Sequence, residues 1–247
     1  MTPFKALTVS LARTNLRDPA TMFFSYVFPP ALLVVLALTM GDQPGMDGHD
    51  IVDLISPNVM GFGVAFVGMF AGAVTIVEWR ENGVGRVLRS APMTVSSILA
   101  SALAVAVASA LVQAVLVVLT GFLPAVGVTL SPWAILTVVP VFLGTLVFYS
   151  LGMLVGLVLP TVTAVSLAVM IMLLPMGFTS GAVLPLKILP GWMQTLANFL
   201  PLTYLLDALR WPLTGVAEPS DALIGLGVTG VVGAALFWAA TKLMRWT

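Results

Sequence analysis

The residues able to do chemistry in this chain are few and fall into small groups. His49 sits among Asp47, Asp50 and Asp53, a spacing that offers a cation loose ligands or forms a plain exposed acidic loop. Asp207 and Arg210 are three apart, one helical turn, which suits a local ion pair better than substrate contact. Glu78, Arg80, Glu81, Arg86 and Arg89 put five charges of both signs into twelve residues. Such a group can dock into a cleft on a soluble protein, and it equally suits a solvated flank of a membrane helix. Gln113 is a lone side-chain amide deep in an apolar run, the usual material of a helix–helix hydrogen bond.

What is missing narrows the chemistry further. There is no cysteine, so disulfides, thiolate metal sites and cysteine nucleophiles are excluded. One histidine cannot build a multi-histidine metal site. No paired carboxylates, HExxH, GxSxG or GxxxxGK[ST] occurs, so no catalytic residue, metal or cofactor is expected on this chain. Ten basic and ten acidic residues cancel, which points to no nucleic-acid partner.

The elements that must position these groups follow from composition. Of 247 residues 60% are hydrophobic and only 8% charged, against about 25% charged in a soluble domain. That is too little polar surface to cover a water-facing body. Apolar runs of the roughly 20 residues needed to cross a bilayer recur, and helices are expected near 21–40, 55–77, 95–123, 132–158, 162–184 and 222–241. No Asp, Glu, Lys, Arg or His occurs between Met93 and Leu186. Pro29, Pro140 and Pro175 are expected to bend their helices.

Orientation is set by basic residues. With both termini cytoplasmic, the inner segments hold Lys5, Arg13, Arg17, Arg80, Arg86, Arg89, Lys242 and Arg245, and the outer ones only Lys187 and Arg210. Trp79, Trp133, Trp192, Trp211, Trp238 and Trp246 fall near the expected helix ends, as interfacial rings do. The first span is too long for a cleaved signal core and is expected to remain as an anchor. No long repeat, soluble linker or appended domain is expected.

Three polar or amphipathic segments stand out. Before span one, Phe4, Leu7 and Leu11 recur at helical spacing while Arg13 and Arg17 lie largely elsewhere. That fits a short amphipathic helix along the inner surface, or an ordinary positive-inside flank. Between spans two and three, Val84, Val87 and Leu88 allow one or two helical turns, entered at Gly83 and closed by Pro92. Between spans five and six, residues 180–215 are too apolar for a solvated loop, and Pro185, Pro190, Pro201 and Pro212 break any full span. Two short helices near 191–199 and 202–211, dipping into the outer leaflet, fit best.

These segments, in this order, resemble the membrane subunit of type-2 ABC exporters, and the likeness covers essentially the whole chain as a single transmembrane domain, 1–247. The inner loop matches through Glu78, Arg80, Glu81, Gly83, Leu88 and Pro92. The outer hairpin matches through Ser180-Gly181, Pro185, Leu189-Pro190, Trp192, Pro201-Leu202-Thr203-Tyr204 and Ala208-Leu209-Arg210. Val84 stands where the family often has Thr, and Gly85 follows in what is usually helix. The resemblance implies an all-α, six-span permease with an N-terminal elbow helix. It also implies a coupling helix at Glu78–Pro92, including Arg86, and a re-entrant pair carrying Asp207. A separate soluble P-loop ATPase would hold ATP and magnesium, and a second permease copy or a relative would complete a dimer in the cell inner membrane.

The near absence of ionisable groups inside the spans leaves a proton- or sodium-coupled carrier without its usual relays. It also favours a hydrophobic or amphipathic cargo over a small ion. Two alternatives stay open, a polysaccharide-exporting permease of the same family and a non-transporting assembly or sensor protein. The GxxxG pairs Gly68/Gly72, Gly152/Gly156 and Gly177/Gly181 suit packing within one subunit as well as a dimer seam.

Overall fold

In lipid every backbone polar group must be satisfied within its own segment, so each long apolar run closes into a helix. The computed structural model describes residues 8–12, 22–41, 43, 45, 48–83, 94–183, 186 and 189–244. Among these, six helices are long and apolar enough to cross a membrane. Span one is a π-helical turn, Phe23–Val27, running into α1, Phe28–Met40. Spans two and three are α2, Ile51–Glu81, and α3, Val95–Gly121. Span four is a short 3₁₀ turn, Ala134–Thr137, followed by α4, Val138–Val158. Span five is α5, Val162–Thr179. Two short helices, α6 (Gly191–Ala197) and α7 (Pro201–Thr214), precede span six, α8, Pro219–Leu243. The protein is all-helical, as its sequence predicts.

Of the three prolines singled out in the sequence, Pro140 is the third residue of α4. Pro29 stands at the start of α1, where the π-helical turn gives way to α-helix. A π-turn is one way to absorb the amide that proline lacks. Pro175 lies inside α5, as does Pro57 inside α2.

Span two departs most from expectation. It was expected at 55–77 but runs 31 residues, about 46 Å at 1.5 Å per residue, well beyond a core of about 30 Å. The charged residues that seemed to mark its ends, Asp53, Arg80 and Glu81, find partners inside the protein, so the helix continues through them. It is also the central element. Of its most apolar window 78% is buried, against 22% for spans one and six.

Close packing at α2 is made by glycine. A Cβ on Gly72 would collide with the carbonyl oxygen of Tyr149, and one on Gly152 with that of Met69. Gly68 lies against Phe148 and Thr145, Gly156 against Ala73 and Ile76. The first two GxxxG pairs therefore face each other across α2 and α4, and the open choice falls to packing within the subunit. Gly177 meets the Phe62 ring, while Gly181 is a left-handed turn residue with φ 85°. Phe24, Phe66 and Phe70 stack in sequence between spans one and two, with centroids 5.9 and 5.2 Å apart.

Two interior sites correct the sequence reading. Gln113 is fully buried against Gly63 and Pro29, yet neither end of its amide has a hydrogen-bond partner among the described residues. It fills a gap between helices instead of bonding across it. Trp79 is also buried, in a cluster with Ile76, Ile98, Leu99, Tyr149, Met153 and Ala240. It lies two residues from the end of α2, yet the residues packed around it make it part of the core. Trp192 and Trp238 are exposed, and Trp133 stacks on Trp211 at 6.1 Å. Trp246 lies outside the described residues.

Candidate functional site

Two polar clusters lie at opposite ends of α2. The first is built on its last turn. α2 stops at Glu81, with the Asn82 N–H donating back to the carbonyls of Glu78 and Arg80, and Gly83 follows in a left-handed conformation with φ 64°. From that turn the Arg80 guanidinium crosses to the C-terminus of α4. It donates to the carbonyls of Gly156 at 3.1 Å and Leu157 at 3.4 Å, and also to that of Leu159. These are groups that a helix end leaves without partners, at the end carrying partial negative charge. Glu81, the next residue, accepts from the Val162 N–H at 3.3 Å, at the positive N-terminus of α5. The Thr161 hydroxyl caps the same end, accepting from Ala164 N–H at 3.2 Å.

The sequence offered both charges as part of a docking surface. The structure places them at the helix ends on either side of the short, uncharged 159–161 turn. Glu78 and Gly83 belong to the same region; Arg86, Leu88 and Pro92 lie outside the described residues. Of the elbow residues, Phe4, Leu7, Arg13 and Arg17 also lie outside them. Residues 8–12 are helical, and Leu11 packs against the cluster around Trp79.

The second cluster holds the pair of short helices between spans five and six. Pro190 immediately precedes α6 and Pro201 opens α7, where a missing amide costs nothing. α6 and α7, at 7 and 14 residues, reach about 10 and 21 Å and cannot cross the bilayer. α7 buries Leu202, Leu205, Leu206, Leu209 and Leu213 along one face. That face seats on glycine: Leu206 and Leu209 lie over Gly61 of α2, Leu205 over Gly144 of α4, and the Tyr204 and Ala208 backbone over Gly225 of α8. A solvated loop would show no such face. The sequence signal for it was available, since α7 is amphipathic while glycines recur in the facing spans, but the pairing itself is not readable from spacing.

The polar side of α7 ties the hairpin down. Asp207 and Arg210 pair at 2.7 Å, as their spacing predicts. Arg210 goes further and donates from Nε and Nη2 to the Asn58 side-chain oxygen, 3.2 Å each, and the Asn58 amide donates to the Gly181 carbonyl at 2.9 Å. Burial pushes the Asp207 carboxyl above its ordinary range, opposed by the Arg210 guanidinium and reinforced by Asp221. Within the hairpin, Tyr204 donates its hydroxyl to the Asn198 carbonyl at 2.8 Å, while Trp192 stays exposed.

Asp53 completes this end. Read from sequence as one of four loop acids, it is instead buried in the first turn of α2, accepting from the Thr129 N–H at 2.8 Å and from the Thr129 hydroxyl. Thr214 of α7 donates to its backbone carbonyl at 3.0 Å. The reason is reach: the 124–133 connection folds back over the start of α2 and supplies donors the carboxylate needs. The loose cation group around His49 thereby loses a ligand. Neither cluster brings together a nucleophile, a base and a substrate cleft; what both do is fix helix ends against each other.

Residues 2–213 match the protein family described as ABC-2 type transporter. A putative transport permease, ycf38, of Cyanophora paradoxa is 30% identical over 202 residues, covering 79% of this chain and 68% of that protein. Nodulation protein J of Rhizobium leguminosarum bv. viciae is 34% identical over 114 residues, covering 45% of this chain and 43% of that protein.

Proposed function

This multi-pass membrane protein belongs to the ABC-2 type transporter family, and from that premise we propose that it is the permease subunit of an ATP-driven exporter. It moves a hydrophobic or amphipathic molecule, drug-like or lipid, out of the cell through the inner membrane, alongside a second permease copy or a relative. The observation that carries this reading is the charge-free stretch between Met93 and Leu186, which makes up spans three to five. Without ionisable relays in those spans, ion-coupled transport lacks its machinery, and energy has to arrive from outside the bilayer. With no P-loop in the chain, ATP and magnesium belong to a separate soluble ATPase.

That ATPase docks on the Glu78–Pro92 segment, the longest charged connection expected on the cytoplasmic side. The amphipathic elbow around Leu11, flanked by Arg13 and Arg17, lies along the same surface. The test is co-purification of the permease with its soluble P-loop ATPase, in wild type and in Arg86→Glu and Leu88→Asp variants. Burying an unpaired charge at an interface costs about 2–5 kcal/mol, so both variants are expected to lose most of the bound ATPase while still inserting normally. Full ATPase recovery in both would overturn the docking assignment.

A further inference from the structure

The last turn of α2 does more than end a helix. Two consecutive residues of opposite charge each meet the helix end of opposite sign. Arg80 takes the carbonyls of Gly156, Leu157 and Leu159 at the C-terminus of α4, and Glu81 takes the Val162 N–H at the N-terminus of α5. The two contacts straddle the 159–161 turn, which has no charged residue of its own. Two to three turns earlier in α2, Gly152 and Gly156 bring α4 close to the backbone of Met69 and Ala73, so the two helices run in close contact toward this end. Three helix ends are thus held as one body: the end of α2, the end of α4 and the start of α5. The segment that leaves this body is the 84–93 connection.

We propose that Arg80 and Glu81 are positioning residues that pass motion from the 84–93 segment to spans four and five. A pull on that segment then moves α4 and α5 together with α2, and the 159–161 turn needs no contact of its own with the ATPase. This inference rests on the docking reading above, and its test separates the two.

The protein has no native cysteine, so labels introduced at Asn82→Cys and Thr163→Cys, both exposed positions, are the only ones on this chain; a cysteine-free ATPase and dilution with unlabelled chain isolate the distance within one subunit. The complex of the full chain with its soluble P-loop ATPase is spin-labelled at this pair. The distance is measured without nucleotide and with ATP plus orthovanadate. In the wild-type background the distance is expected to be narrow and unchanged by nucleotide. In Arg80→Ala, and in the charge swap Arg80→Glu/Glu81→Arg, nucleotide is expected to shift it by more than the wild-type width, because α2 moves without α5. Arg80→Lys, which keeps a donor and the charge, is expected to fall between. Loss of helix capping alone broadens the distance in these variants but gives it no dependence on nucleotide.

A wild-type distance that changes with nucleotide overturns the clamp whether or not the variants fold. A distance independent of nucleotide in every variant, with the ATPase bound, also overturns it and leaves only the capping role. If the ATPase fails to co-purify even with the wild-type chain, the docking reading falls, and the transmission role falls with it.

Discussion

The two ends of α2 solve the same problem in different ways. At the hairpin end, Asp53 is buried and Arg210 partly so, and their partners are side chains and amides drawn from three separate segments. At the other end Arg80 and Glu81 are exposed, and their partners are backbone groups of two successive helices. Burial raises the cost of leaving a polar group unpaired, whereas water can replace an exposed contact. The hairpin end is therefore a matter of stability, and the opposite end a matter of relative position. One helix carries both.

The sharpest way to break the comparison is to break the shared strut. Gly72→Leu is expected to abolish recovery of monodisperse protein from detergent, because its side chain would have to displace the Tyr149 backbone. Overpacking costs about 1–3 kcal/mol even where neighbours can move. Size-exclusion yield measures it, and a normal yield would mean that α2 and α4 pack less closely than described.

Next comes the buried carboxylate. Asp53→Ala removes the charged acceptor of the Thr129 N–H and hydroxyl and is expected to cost about 1.5–3 kcal/mol, the range of hydrogen bonds to a charged group, read as a lower thermal unfolding midpoint in detergent. Asp53→Asn keeps one acceptor and should lose less.

Arg210→Ala is expected to fall at the lower part of the same range. It removes the Asp207 pairing and both bonds to Asn58, but water reaches the remaining side chains. The readout is thermal unfolding together with protease cleavage in the 184–200 region, which should speed up as the hairpin loosens.

Arg80→Ala should cost at most about 1 kcal/mol, the range of a charge at a helix terminus. Its effect belongs in the nucleotide-dependent distance. A stability loss larger than that of Asp53→Ala would erase the distinction between the ends.

The smallest perturbation is topological. A cysteine replacing exposed Glu218 is expected to react with an impermeant thiol reagent from outside intact cells, and one replacing Asn82 is not. Both proteins should remain as stable as wild type. Labelling at Asn82 would reverse the orientation read from the eight basic residues on that side.

What the sequence determined by itself is the set of spans and the helical class. An apolar run in lipid has one economical way to satisfy its backbone, so each run fixes its own helix without reference to the rest of the chain. The Asp207–Arg210 pair was legible for the same reason, because both partners sit on one turn. The tertiary structure decided everything that depends on partners far apart in sequence. Asp53 meets Thr129 across 76 residues, Arg80 meets Leu157 across 77, and Arg210 meets Asn58 across 152. Composition marks these residues as charged and places them near helix ends, but the energy that keeps them there comes from groups brought close only by packing. Glycine spacing shows the same division. It announces that helices approach closely, and only the folded bundle selects α4 as the partner of α2, because the carbonyls that a Cβ would strike belong to Tyr149 and Met69.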